Sequence, residues 1–293
     1  MTRDEVNSLW PAARATAAQA TRIAHLPLRR RAWRGPAGAW LGAGIGNSLE
    51  FEDHRPYAPG DDLRHLDWTA FARTDQLVMK LHRHEASPQV DLALDISASQ
   101  FATAAKARRV LELTAFAMAS ALEARAVLRL WAVGSSIEPW EIPAALAGRM
   151  PASVNSQSPA DGPALDRVPW RRDALRLFVS DLLFPLLPMP ALGGLGGARG
   201  SGLILAPWTP EEADPPWNGR LEMEDVESGA KREQRVDATL LTRYRQAYAR
   251  HFQAWRDACR RHGVGLARIT AEAELSTAIA DGALRDGLLD WAA

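Results

Sequence analysis

At 293 residues and 47% apolar, the chain has enough material for one large hydrophobic core or two smaller ones and should fold as a globular protein. Thirty-five basic residues balance thirty-five acidic ones, so no whole-chain charge draws it toward nucleic acid or an anionic membrane. The single Cys259 cannot form an intramolecular disulfide and has no Cys or His partner at zinc-finger spacing, which fits a reducing, cytoplasmic setting.

The chain opens Met-Thr-Arg-Asp-Glu, charged in both signs rather than built as a secretory core, and continues as an Ala-rich amphipathic helix to about Leu28. Arg29-Arg-Arg-Ala-Trp-Arg34 is a local basic run that reads as a solvated segment. Gly42-Ala-Gly-Ile-Gly46 reads as a turn, because Glu50-Phe51 and Pro56 follow where a dinucleotide fingerprint would open a helix. Asp61, Asp62 and Asp67 stand among Arg55, Arg64 and Arg73, a mixture expected to form ion pairs that fix a loop rather than an acid/base pair. His82 and His84 alternate on one face of a strand-like run and read as exposed strand histidines. Residues 1–84 are thus expected to form a separate N-terminal module of one helix and short strands, and 85–293 a strand-helix-strand domain.

The most informative stretch is Gln89-Val-Asp-Leu-Ala-Leu-Asp-Ile-Ser-Ala-Ser-Gln100. An apolar strand ends in Asp-x-Ser-x-Ser and gives way to a helix from about Ala102 and then to the β-rich Val127 to Val133, a βαβ unit. In open parallel sheets, ligands sit at the carboxyl ends of strands, and a second apolar strand, Ala174 to Val179, also runs into an acid, Asp181. Asp95, Ser97 and Ser99 could form part of a shell for a hard divalent cation such as Mg²⁺ or Mn²⁺. The same residue types also cap helices at strand-to-helix turns.

Further along, Leu182 to Leu195 is apolar but broken by Pro185, Pro188 and Pro190, which argues against a membrane-spanning helix. Gly193 to Gly200 lacks a phosphate-loop pattern and reads as a flexible loop before the strand Gly202 to Ala206. Arg220 to Val236 reads as an exposed hairpin around Ser228-Gly229. A helix from Ala238 to Arg261 should stop at Gly263, followed by a strand from Val264 to Thr270 and a final helix ending near Trp291.

The pairing of Asp95-x-Ser97-x-Ser99 with Asp181 resembles the metal-ion-dependent adhesion site of von Willebrand factor A domains. The run from Glu50 through Tyr57-Ala-Pro-Gly-Asp-Asp-Leu-Arg-His-Leu-Asp-Trp68 to Leu81, with Pro210 to Pro216 and Leu241 to His251, resembles the bacterial domain-of-unknown-function family 58, from about Arg29 onward. That resemblance implies a doubly wound, mostly parallel α/β sheet of A type, with Asp95, Ser97, Ser99 and Asp181 as protein ligands of Mg²⁺ or Mn²⁺. It also implies association with MoxR-type AAA+ ATPases. One departure is that the loop from Pro151 to Pro169 lacks the Thr that A-type domains add to the shell, with Asp161, Ser156 or Ser158 as substitutes.

The expected function is a non-enzymatic, metal-assisted protein-interaction module, an adaptor between such an ATPase and a client complex. The rivals are a degenerate A-type module without metal, and a metal-dependent hydrolase. The hydrolase lacks its chemistry here: Ser97 stands two residues past Asp95, where an aspartyl-nucleophile phosphatase needs a second acid, and there is no Gly-x-Ser-x-Gly elbow. Tyr57 and Trp68 are expected to be buried, anchoring the N-terminal module to the sheet domain.

Overall fold

The computed structural model describes residues 1–28, 43–44, 51–59, 61–83, 87–154, 162–184, 189–197 and 201–292. The chain divides into two compact units, one of residues 1–28 with 88–293 and one of residues 29–87. The expected division at 84 had placed the first helix with the small module. That helix, α1 (Arg3–Ala20), instead belongs to the large unit. It starts at a capping box between Thr2 and Glu5 and buries the stripe Val6, Trp10, Ala13, Ala17 and Ala20 in the main core. A short strand, β1 (Ala24–His25), follows it.

In the smaller unit, β2 (Ala43–Gly44), β3 (Phe51–Pro56) and β4 (Val78–Arg83) form an antiparallel sheet in the order β2-β4-β3. Between β3 and β4 lies α2 (Trp68–Thr74), started by Asp67, whose carboxylate accepts the Thr69 and Ala70 N–H groups. Asp61 takes a bidentate bond from Arg55 at 2.7 and 2.6 Å and the Ala58 N–H at 2.8 Å. Those bonds hold its carboxyl down at about 2. Asp62 pairs with Arg64 at 2.6 Å, so two of the three acids do fix the loop by ion pairs while Asp67 caps a helix. Trp68 is not buried as expected: it is 61% exposed, because as the first residue of α2 it turns outward while Asp67 turns in. Tyr57 is half-buried. Arg29 to Arg34, His84, Ser156, Ser158 and Asp161 lie outside the described residues.

The large unit is a three-layer α/β/α sandwich. Its sheet contains β5 (Gln89–Asp95), β6 (Val127–Val133), β7 (Ile137–Pro139), β8 (Leu175–Val179), β9 (Ser201–Trp208) and β12 (Val264–Thr270), in the order β12-β9-β8-β5-β6-β7. All neighbours are parallel except the edge strand β7. β5 and β8 are central and covered on both faces, which is why they read as unbroken apolar runs rather than alternating ones. Leu92, Leu94, Leu177 and Val179 enter the core shared with α1 and with α3 (Ala104–Glu123), whereas Ala93 and Phe178 enter the core on the opposite face.

The chain order reverses at β5: β6 lies on one side of it, and β8, β9 and β12 on the other. Such a reversal opens a crevice at the carboxyl ends of the central strands.

Beyond β6 come α4 (Ile142–Leu146), α5 (Met189–Gly196) and α6 (Pro210–Ala213). The antiparallel hairpin of β10 (Gly219–Glu224) and β11 (Lys231–Val236) follows, then α7 (Ala238–His262), capped by Asp237 and by Gly263 at φ 65°. α8 (Leu275–Ile279) continues into a wide turn through Leu284. Residues 290–291 are not helical as expected but form β13 (Asp290–Trp291), which pairs with β1 and ties the two ends of the unit together. Among the described residues no helix is long and apolar enough to cross a membrane.

The glycine run is likewise not a loop through its first half, since Gly193, Gly194 and Gly196 lie in α5. A Cβ at Gly196 would come within 2.0 Å of the His262 carbonyl oxygen, so α5 and the end of α7 pack backbone to backbone there. Gly193 has nothing within 4 Å of its missing Cβ. Gly196→Ala should therefore cost about 1–3 kcal/mol by overpacking, whereas Gly193→Ala should be neutral or stabilising by up to about 1 kcal/mol. Urea melts of the two variants check this, and equal effects would contradict the packing.

Candidate functional site

Two adjacent parallel strands, β5 and β8, deliver Asp95 and Asp181 to the same carboxyl edge of the sheet. Asp95 is the last residue of β5 and is 1% exposed; Asp181 follows β8 by two residues and is 2% exposed. After Asp95 the chain turns through Ser97 into a short 3-10 turn at 98–101 and then into α3, whose N-cap is Thr103. Asp95, Ser97, Ser99 and Asp181 thus gather at one edge.

The partners of these carboxylates define what the cluster can do. Asp95 Oδ1 accepts the Ser97 N–H at 3.0 Å. Its Oδ2 accepts the Ser180 hydroxyl at 2.7 Å and the Gln100 amide at 3.2 Å. The Ser97 and Ser99 hydroxyls lie 3.2 Å apart, bonded to one another. Asp181 Oδ1 accepts the Leu183 N–H at 3.0 Å, and its Oδ2 binds the Lys106 ammonium. The same ammonium lies 2.6 Å from Glu212 Oε1, and Glu212 Oε2 accepts the Thr209 N–H as part of the capping box of α6.

Lys106 sits in the first turn of α3, where the positive end of the helix dipole disfavours a cation. Its side chain is only 4% exposed. Burial alone would lower its pKa, but Asp181 and Glu212 outweigh burial and hold the ammonium above the ordinary lysine value. A fixed positive charge therefore stands on Asp181, one of the four residues expected to hold a metal ion.

Burial, and then the charge of Asp181, push the Asp95 carboxyl up to about 7, against hydrogen bonds from Ser97 and Ser180 that favour the anion. A proton on Asp95 has an acceptor at hand. Gln100 Oε1 is buried and has no hydrogen-bond partner, and a half-turn of that amide brings it to the Nε2 position beside Asp95 Oδ2.

This donor set does not fit a resident divalent ion. Hard cations need carboxylate lone pairs free to face them. Both Asp95 oxygens already hold hydrogens, and an ion on Asp181 Oδ2 would meet the Lys106 ammonium on the same atom. Among the described residues, no group of three or more His, Cys, Asp or Glu side chains is arranged to hold a metal.

Sequence reasoning missed Lys106, Ser180, Gln100, Glu212 and Glu227. Glu212 was within reach of the rule that found Asp181, because β9 also ends at this edge and runs into Thr209-Pro-Glu-Glu212. Glu227, at the turn of the β10–β11 hairpin, accepts the Ser99 N–H at 2.9 Å, a contact across 128 residues that no local pattern announces. The rim of the cluster is formed by Ser99 and Glu212, both half-buried, while its floor is closed.

Residues 53–257 match the family described as Protein of unknown function DUF58. An uncharacterized protein of Mycobacterium bovis is 29% identical over 230 residues, covering 73% of this chain and 72% of that one. Uncharacterized proteins of two Mycobacterium tuberculosis strains match to the same extent. No solved structure matches the chain.

The raised Asp95 pKa carries a pH signature. Because the folded state keeps a proton to about 7 that an ordinary carboxyl releases at 3.8, stability is full below the lower value and declines as pH rises toward the upper one. The slope is at most about 1.4 kcal/mol per pH unit, and the loss levels off above the folded pKa. Asp95→Asn keeps an acceptor for Ser97 and supplies N–H donors toward Ser180 and Gln100. Its melting curves between pH 4 and 8 should lack this decline, so that the variant gains on wild type as pH rises; parallel curves would contradict the assignment.

Proposed function

The chain belongs to the DUF58 family, and on that premise we propose that it is a non-enzymatic protein-interaction module with an A-type sheet domain. It serves in the cytoplasm as an adaptor for a MoxR-type AAA+ ATPase in the assembly or maturation of a client complex. The observation that carries this reading is the Lys106 ammonium held between Asp181 and Glu212.

A cluster whose cation is covalently part of the chain needs no outside ion to hold its two carboxylates together and leaves no side chain poised for attack. The Ser97 hydroxyl is bonded to Ser99, and the Asp95 carboxylate is surrounded by donors. What remains is a rigid polar rim, with Ser99 and Glu212 as its accessible members. Such a rim suits recognition better than turnover, since general acid/base work needs a group within reach of substrate. Topology supports the reading as well, because the rim lies at the carboxyl ends of the central strands where the chain order reverses. The bridging ion expected from the sequence is replaced in this proposal by lysine, so partner capture needs no divalent ion.

Capture of the MoxR-type ATPase from the same genome by the full chain tests the proposal. Capture should be the same with and without EDTA and should fall several-fold with Ser99→Arg, which blocks the rim, at an unchanged melting temperature. EDTA-sensitive capture would restore the metal bridge. Turnover of generic phosphatase or peptidase substrates, lost in Asp95→Asn, would overturn the non-enzymatic reading.

A further inference from the structure

Helix α7 carries a charge that the chain as a whole does not. Thirty-five basic and thirty-five acidic residues balance overall, yet within Ala238–His262 the residues Arg243, Arg245, Arg250, Arg256, Arg260 and Arg261 stand against one acid, Asp257. The helix buries Phe252, Trp255, Ala258 and Cys259 against the sheet and half-buries Tyr244, Tyr248 and His251 beside them. Clear of that side, Arg243, Ala247, Arg250, Ala254, Asp257 and Arg261 succeed one another in steps of four and three residues. That is the period of a seam along which two helices pack.

The positive charge of this stripe is not met from within. Asp257 is taken by Arg260 and then by the Gln253 amide at 3.0 Å, bonds that hold its carboxyl below the ordinary value. Arg245 lies off the stripe and pairs with Asp214 at 2.5 Å. Arg243 and Arg250, by contrast, are exposed and have no hydrogen-bond or ion-pair partner among the described residues. They stand two turns apart, about 10 Å along the helix axis. Ala247 and Ala254 alternate with them and leave gaps, so a neighbouring helix can approach closely while the apolar stems of the arginines lie along it.

We propose that this stripe docks a helix of a protein partner, one that presents carboxylates seven residues apart. A guanidinium takes a carboxylate in a two-point fork, and two such forks set two turns apart fix the register of the incoming helix as well as its charge. The makeup of the stripe favours protein over the other polyanions. The aromatic rings of α7 are stacked on one another and on Arg268 at the side facing the sheet, which leaves none on the stripe to stack against bases. The stripe also has no large apolar side chain to enter a lipid surface. It uses no residue of the Ser99 and Glu212 rim, so it goes beyond the adaptor reading to a second contact and the chemistry that fills it.

Fluorescence anisotropy with the full chain and two labelled peptides tests it. Both are alanine- and glutamine-based helices of four heptads and equal composition, one with its glutamates at every seventh position and the other with them spread around the helix. At low salt the first should bind about tenfold more tightly than the second, and the preference should shrink as salt is raised to physiological strength. Arg243→Glu with Arg250→Glu should abolish the preference at an unchanged melting temperature, and this variant should instead prefer a peptide with lysines in place of the spaced glutamates. Equal binding of the two glutamate peptides by wild type, or a preference that survives in the double variant, would overturn the seam. Tighter binding of a short DNA duplex or of phosphatidylserine vesicles, lost in the double variant, would assign the stripe to phosphate and overturn the protein partner. Failure of ATPase capture would instead count against the adaptor reading and leave these outcomes as they are.

Discussion

The Lys106 ammonium between Asp181 and Glu212 is the interaction on which the rest of the edge depends. It joins three elements that are remote in sequence: the first turn of α3, the end of β8 and the cap of α6. Removing one partner of such a buried pair typically costs about 3–5 kcal/mol, because the other charge is left stranded. Its presence also explains the division of labour between the two strand-end acids. Asp181 spends its charge on the lysine, while Asp95, with no cation against it, is held near the midpoint of its titration at neutral pH.

The sheet makes this possible because its two innermost strands run parallel and are covered on both faces, so their carboxyl ends meet at one buried edge. Buried polar groups at such an edge must be satisfied from within, and the two carboxylates are, by Ser180, Gln100, Ser97, Lys106 and the N–H groups of the following turns. Leu182, just beyond Asp181, is held at φ 61°, a conformation rarely taken by a bulky residue. The edge is thus an over-determined piece of backbone whose rim is Ser99 and Glu212.

Much of the frame was legible. β5 and β8 announced themselves as apolar runs ending in acids, the hairpin by its Ser228-Gly229 turn, and the long helix α7 by its stop at Gly263, since each rests on local periodicity or turn chemistry. What sequence could not give was partnership at a distance. An alanine stripe says that α1 is buried but not against what, so it was assigned to the wrong unit. A glycine run looks like a loop when the reason for its glycines is the approach of another helix end, as at Gly196. Above all, a lysine in an amphipathic helix reads as a solvated residue, and nothing around Lys106 in the sequence tells that two carboxylates from beyond residue 180 close over it. The resemblance to a metal-dependent adhesion site pointed to Asp95, Ser97, Ser99 and Asp181, which converge at one edge of the sheet, where the cation against Asp181 is that of Lys106.

That substitution is the central claim, and direct measurement of Mn²⁺ binding tests it. In a titration followed by the electron paramagnetic resonance of the free ion, the wild-type chain should show no saturable site into the millimolar range, because the ammonium repels a second cation from Asp181. Stoichiometric binding that disappears in Asp181→Asn would show that the ion displaces the lysine, and would contradict the account.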